Sequence, residues 1–348
     1  MKLADFDFNL PDELIAQRPS PERDGSRMML IRRDTGKREH LFFRDLPDIL
    51  CPEHFLVVNE TRVFPARLRA RRPGKNENVE VMLLREINPG RWLALTKPGR
   101  KTPIGQRLQI GDIAATVSAI TESGSRVIEF DGFEREGNLL EVFEKIGETP
   151  TPPYIKRNDS VDKMEDRLRY QTVYARLSGS VAAPTAGLHF TEEVLQRLDS
   201  NGVSVCKILL HVGYGTFKPV RVQNIEEHKM DTEFYSVDAE NAAHMRALKD
   251  EGRKLVAVGT TSARCLEYLA RGEHPLDRAV SGDCNLFIYP GFEFRMINGL
   301  VTNFHLPKST LFMFVSAFAG RELMLDCYRE AISLGYRFYS YGDCMLIL

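Results

Sequence analysis

ARLRARRPGKNENVEVMLL, residues 66–84, alternates small or apolar side chains with charged ones on both sides of a Pro73-Gly74 turn signal. In an extended chain successive side chains point to opposite faces. Ala66, Leu68 and Ala70 therefore share one face, and Arg67, Arg69 and Arg71 share the other. Val79-Glu80-Val81-Met82-Leu83-Leu84 reads as another strand of the same kind. Outward from this stretch the texture repeats in Phe55-Leu56-Val57-Val58, Trp92-Leu93-Ala94-Leu95 and Ala114-Ala115-Thr116-Val117, separated by Pro89-Gly90, Pro98-Gly99 and Ile110-Gly111-Asp112. Short strands at this spacing predict a small all-β barrel or sandwich. The first useful amphipathic helix after them is Leu139 to Ile146.

Beyond Pro150 the pattern changes. Thr191 to Asn201 carries a capping Thr, acids in its first turn and Gly202 after its end, which are helix start and stop signals. It leads into a buried-strand candidate, Val203 to Leu210. Helices are expected over Asp238–Glu251, over Ser262–Ala270, and from Thr310 and Glu322; strands over Lys254–Val258, Leu286–Tyr289 and Leu300–Phe304. Alternating strands and helices predict an α/β class, with a layered or barrel-like main domain. The simplest plan is a discontinuous α/β domain of residues 1–59 and 148–348, with a β-barrel domain of residues 60–147 inserted in it.

Composition narrows the function. The chain has 348 residues, 43% apolar and 27% charged, and 47 basic against 48 acidic residues leave a net charge of −1. That is a globular composition with no overall pull toward nucleic acid, although a local patch remains open. Residues 60–107 supply such a patch, with twelve Arg and Lys against four acids. Arg62, Arg67, Arg69 and Arg71 within it are either a solvated face or a phosphate-binding strip. The longest apolar run, Phe312 to Ala319, is far short of the roughly 20 residues that span a bilayer. The first residues, Met1 to Asp7, hold acids where a signal peptide needs an apolar core. A membrane or secreted protein is excluded on this reading and a cytoplasmic one expected. Six scattered cysteines form no C-x-x-C pair, and no His or Cys spacing suits a metal.

Several clusters break the logic of core or surface. Asp166 to Ala175 gathers Arg167, Tyr170 and Gln171 without a clean period, and its plainer reading is a surface helix. Ala182 to Phe190 brings Thr185, Gly187 and His189 to a strand-to-helix junction, where backbone amides can approach a ligand; a satisfied core histidine is the alternative. Leu210 to Phe217 places His211 beside Gly213, Gly215 and Thr216, whose glycines permit positive φ and close backbone approach. It is not the dinucleotide-binding glycine fingerprint, because Lys218 occupies the third glycine position. Val256 to Arg264 is a strand, a hydroxyl-rich turn of Thr260, Thr261 and Ser262, and a helix carrying Arg264. It is either an anion cradle or simple capping. Glu233, Asn303, His305 and Asp343 add carboxylate, amide and imidazole groups. Their concentration in residues 166–343 points to one large site for a small polar molecule at strand ends.

DRLRYQTVYA, VAAPTAGLHF, LHVGYGTF, VGTTSARCLE, IYPGF, LVTNFHLPKSTL and YRFYSYGDCM occur together and in order. With DFDFNLPDELIAQRP and VVNETRVFPARL they closely resemble the S-adenosylmethionine:tRNA ribosyltransferase-isomerase family of queuosine biosynthesis, over essentially the whole chain. Departures are Tyr214, where a small residue is expected, and Cys344, where Ala is usual. The chain stops soon after the last motif, so a short tail is expected to be absent. The resemblance implies that S-adenosylmethionine donates its ribosyl carbons to 7-aminomethyl-7-deazaguanine at the tRNA wobble position, giving epoxyqueuosine, adenine and methionine. It implies a cosubstrate rather than a resident cofactor and tRNA as partner; the ligand spacings add the expectation of no metal, and a monomer is expected.

The sulfonium acidifies the C5′–H, so one base can generate a carbanion that expels adenine; the tRNA amine then adds and methionine leaves as the epoxide closes. This chemistry needs a base near neutral pKa, an acid for adenine and donors for the methionine carboxylate. By type, His189, His211 and His305 suit base or acid roles. Glu233 or Asp343 suits an ammonium or the sulfonium. Thr260, Thr261 and Ser262 suit the carboxylate, and Arg167, Tyr170 and Gln171 suit a purine edge. Thr185, Gly187, Gly213, Gly215, Thr216, Arg264 and Asn303 complete the expected substrate site, and Arg62, Arg67, Arg69 and Arg71 the RNA contact. Rival classes are a methyltransferase using the same cosubstrate, which releases S-adenosylhomocysteine, and a non-catalytic RNA-binding module.

Overall fold

The structure is a computed structural model that describes residues 1–75, 77–133, 138–157, 160–272, 276 and 278–348, with the side chains of 160–163 and 217 left aside. Its frame is an open nine-stranded sheet. From edge to edge the strands are Val280–Cys284, Glu233–Val237, Ser204–Leu210, His54–Asn59, Lys254–Val258, Gly299–Asn303, Cys344–Ile347, Arg27–Ile31 and Arg38–Phe42. The four strands from Ser204–Leu210 to Gly299–Asn303 run parallel. They read as near-continuous apolar runs because both faces are covered. Phe55, Val57, Leu255, Ala257 and Leu300 point into one buried layer, under the helices Ala239–Asp250, Thr260–Leu269, Thr310–Ala319 and Arg321–Ser333. Leu56, Val58, Val256, Val258 and Val301 point into the opposite layer, with Val194 and Leu198 of the helix Glu192–Ser200. The main sheet is thus layered rather than barrel-like.

The closed barrel is the smaller unit. Its six strands follow the order Arg126–Phe130, Arg91–Lys97, Asn78–Asn88, Arg67–Arg71, Arg107–Ile110 and Ile113–Ile120. Every pairing in it is antiparallel. The alternation read in residues 66–71 holds: Leu68 and Ala70 are fully buried while Arg69 and Arg71 are exposed. The helix Leu139–Ile146, capped by Asn138, closes one end. Its Phe143 packs edge-on against Trp92 and Phe130, each at 5.3 Å between ring centroids.

Three differences from the sequence reading have physical causes. The strand expected at Leu286–Tyr289 is Val280–Cys284 instead, an edge strand of small and polar residues with almost no hydrophobic signal. The Leu286–Tyr289 stretch has no strand partner among the described residues, and Phe287 instead meets His228 and Tyr289. The helix expected from Ser262 begins two residues earlier, at Thr260, because Gly259 at φ +86° turns the chain straight from strand into helix. Finally, Arg62 leaves the arginine strip: Thr61–Val63 pairs in parallel with Leu177–Ser180, outside the barrel. All six cysteines are free thiols.

Candidate active site

The carboxyl ends of the parallel strands open onto a cavity of about 560 Å³. This is where open α/β sheets place ligands, and its size lies in the range of small-molecule sites. Lys254–Val258 delivers Gly259, Thr260 and Thr261 to its wall, and Gly299–Asn303 delivers Thr302, Asn303 and His305. Thr185, from the turn Thr185–His189, and Thr216, beyond strand Ser204–Leu210, complete the expected residues that line it. The Thr261 hydroxyl oxygen is buried without a hydrogen-bond partner among the described residues. Ser262, by contrast, donates its hydroxyl to the Val258 carbonyl at 2.7 Å and faces its own helix.

A layer behind the wall fixes these groups. Glu233 and Arg264 form a buried ion pair. Glu233 Oε1 also accepts the Gly213 amide at 2.7 Å, which pins the turn carrying Thr216. Arg264 borders a narrow annexe of the cavity with Thr216, Thr260 and Thr261, and burial lowers its guanidinium pKa. Neither Gly213 nor Gly215 adopts positive φ; Gly213 lies at −83°. What Gly215 needs is room, since a Cβ there would overlap the Asp231 carboxylate. Gly187 likewise lies against the Tyr174 hydroxyl rather than a ligand.

Of the three singled-out histidines, His305 alone lines the cavity, with Nε2 2.9 Å from the Thr302 hydroxyl. Burial lowers its pKa to about 3, so its imidazole is neutral. His189 sits one residue back, its Nε2 3.2 Å from Asn303 Oδ1, and burial lowers it to about 4. His211 lies under Gly179 with Nδ1 2.9 Å from the Thr61 hydroxyl, outside the cavity wall, and is also lowered by burial.

The remaining expected residues lie elsewhere. Asp343 accepts the amides of Arg27 at 3.0 Å and Arg337 at 2.8 Å and faces both guanidinium groups. Gln171 clamps both backbone groups of Val63, and Tyr170 is packed in a small core with Ala183 and Tyr341. Arg167 and Arg62 both approach Glu144, bordering a separate polar recess of about 140 Å³ that Gln171 also lines. On the barrel face Arg69 pairs with Glu148 at 2.9 Å and Arg67 with Glu80 at 4.0 Å, while Arg71 makes no ion pair among the described residues.

A family model described as queuosine biosynthesis protein matches residues 3–347. The chain belongs to that family. A relative from Symbiobacterium thermophilum, named S-adenosylmethionine:tRNA ribosyltransferase-isomerase, is 51% identical, with both chains fully covered. Its namesake from Pelotomaculum thermopropionicum is 49% identical, again with both fully covered. The crystal structure of S-adenosylmethionine tRNA ribosyltransferase from Thermotoga maritima is 36% identical, with a TM-score of 0.57, over 99% of this chain and all of the other. In this queuosine biosynthesis family member, Tyr154, Lys218, Lys308, Tyr339 and Ser340 also line the cavity, without a local sequence signal that marks them individually. Lys308 and Tyr339 lie inside the motifs LVTNFHLPKSTL and YRFYSYGDCM, but only the folded chain turns them toward the site.

Proposed function

We propose that this protein transfers and isomerises the ribosyl moiety of S-adenosylmethionine onto 7-aminomethyl-7-deazaguanine in tRNA, releasing adenine and methionine. The observation that carries this is full-length identity of about half to relatives named for that reaction. The cavity at the sheet's carboxyl edge supplies a chamber of suitable size beside it.

Within that chamber we assign roles from position and charge state. The free Thr261 hydroxyl, Thr260 and the Arg264 guanidinium favour the methionine carboxylate, in the annexe they share. His305 is neutral and is the one of the three histidines in the cavity wall, and that position, not its lowered pKa, assigns it the base role. In this scheme it takes the C5′ proton and passes it to the departing adenine. The C5′ electron pair moves through the opened sugar to expel that base, and the tRNA amine then adds to the unsaturated sulfonium. Ring closure by an oxygen releases neutral methionine. Glu233 holds Arg264 rather than the substrate, and His189 acts through Asn303.

We also propose that residues 60–147 form an insert that presents Arg67, Arg69 and Arg71 to the RNA backbone. We further propose a cytoplasmic monomer whose cosubstrate is its only small-molecule requirement. Among the described residues no group of His, Cys, Asp and Glu is arranged to hold a metal, and no helix is long and apolar enough to cross a membrane.

The deciding experiment incubates the protein with S-adenosylmethionine and tRNA bearing the aminomethyl-deazaguanine, then weighs small molecules and nucleosides by mass spectrometry. Adenine, methionine and an epoxide-bearing nucleoside are expected. S-adenosylhomocysteine in their place would mean methyl transfer and overturn the assignment.

A further inference from the structure

Among the described residues only Lys308, at φ +58°, and Tyr339, at φ +75°, are non-glycine residues in the left-handed region. Both line the cavity. A bulky side chain at positive φ is strained, and such strain persists only where surrounding bonds over-determine it. At Tyr339 those bonds are explicit. Its amide donates to the Phe304 carbonyl at 3.0 Å, and its carbonyl accepts from Asn303 Nδ2 at 2.8 Å and from the Gly342 amide at 2.9 Å. Asn303 is oriented in turn by His189.

The result of this clamp is an aromatic wall. The Tyr339 ring lies 4.3 Å from the Tyr154 ring, with 38° between their planes. The Tyr154 hydroxyl is tied to the Ser340 hydroxyl at 2.5 Å, and Tyr154, Tyr339 and Ser340 all border the cavity. A tyrosine pair held at a fixed tilt offers a rigid π-surface at low entropic cost, and every nucleobase has a face to lay on it. An ordinary core aromatic needs no left-handed backbone and no amide clamp.

We propose that Tyr154 and Tyr339 are a stacking platform for a fused purine-type ring. This rests on the ribosyl-transfer reading, whose reaction brings two such rings to the cavity: the adenine of S-adenosylmethionine and the deazaguanine of the tRNA. The His189–Asn303 pair is the device that holds the platform in place.

The test compares Tyr154→Leu, Tyr339→Leu and Tyr339→Phe with the unaltered protein. Calorimetry with S-adenosylmethionine reads one ring. Binding of tRNA carrying the aminomethyl-deazaguanine, against the same tRNA with guanine there, reads the other. Each Leu variant should weaken one arm by about ten-fold or more, the effect of removing a base-stacking aromatic, and Tyr339→Phe should bind as the unaltered protein does. The weakened arm identifies the ring. Tyr154 has no positive φ to relax, so Tyr154→Leu keeps the test open if Tyr339→Leu fails to fold. Folded Leu variants with both affinities within two-fold of the original would overturn the platform while leaving ribosyl transfer intact. An unaltered protein that binds neither ligand would overturn both.

Discussion

Replacing Glu233 by alanine removes two things at once: the counter-charge of Arg264 and the acceptor of the Gly213 amide. Both side chains are almost wholly buried, Glu233 at 5% exposed and Arg264 at 7%. Breaking a buried ion pair from one side costs about 3–5 kcal/mol, because the remaining charge stays desolvated and uncompensated. The orphaned amide falls within that range rather than adding to it. An unfolding entropy of about 2.1 cal/mol/K per residue over 348 residues gives about 0.7 kcal/mol/K, so Tm should drop by about 4–7 °C. Circular-dichroism melts of Glu233→Ala, Arg264→Met and the double variant measure this directly. The double variant, which leaves neither charge of the pair, should recover most of the stability while staying inactive, since Arg264 borders the annexe of the cavity. A drop below about 1 °C in the single variant, or a double variant that melts at the sum of the two losses, would refute the reasoning.

Loss of the base through His305→Ala should lower kcat by about 10²–10⁴-fold with S-adenosylmethionine affinity nearly unchanged; an equal loss in binding would make His305 a packing residue. Burial holds His305 near 3 and His189 near 4 in the folded state, against an ordinary 6.5. As pH falls through 6.5 the unfolded chain therefore takes up protons that the native state refuses. Stability should be full above that value and decline below it, by about 1.4 kcal/mol per histidine between pH 7.5 and 5.5. Melts across that range, with His189→Gln/His305→Gln as reference, check the sign; a reference that declines as steeply as the parent would contradict it. Arg67→Ala with Arg69→Ala should weaken tRNA binding and flatten its salt dependence without touching S-adenosylmethionine affinity, and unchanged tRNA affinity would remove the barrel face from the RNA path.

What the sequence made legible follows from where partners lie. Lys254–Val258 was readable because a buried parallel strand is an apolar run, here bracketed by Gly252 and Gly259. Glu233–Val237 was not, because its signal is diluted by charge and its stabilising partners lie along two other strands. The hydroxyl turn at Thr260 and Thr261 announced itself locally. Asp343 announced itself just as loudly, yet Arg27 and Arg337 enclose it, and Arg27 lies at the far end of the chain. Tyr154 and Tyr339 escaped a residue-level reading because nothing in a sequence separates an aromatic facing a cavity from one facing a core.

The strand order has a consequence for synthesis. Cys344–Ile347 lies between Gly299–Asn303 and Arg27–Ile31, so the large sheet has a missing rung until residue 347 has been made. The barrel strands, all within residues 67–130, and their closing helix at Leu139–Ile146 are complete far earlier. At about 5–20 residues per second the ribosome needs about 10–40 s more to reach the final strand. Over the last 44 residues of that interval, about 2–9 s, the nascent chain carries a finished barrel beside a sheet with exposed edges at Gly299–Asn303 and Arg27–Ile31, the surfaces a chaperone would meet.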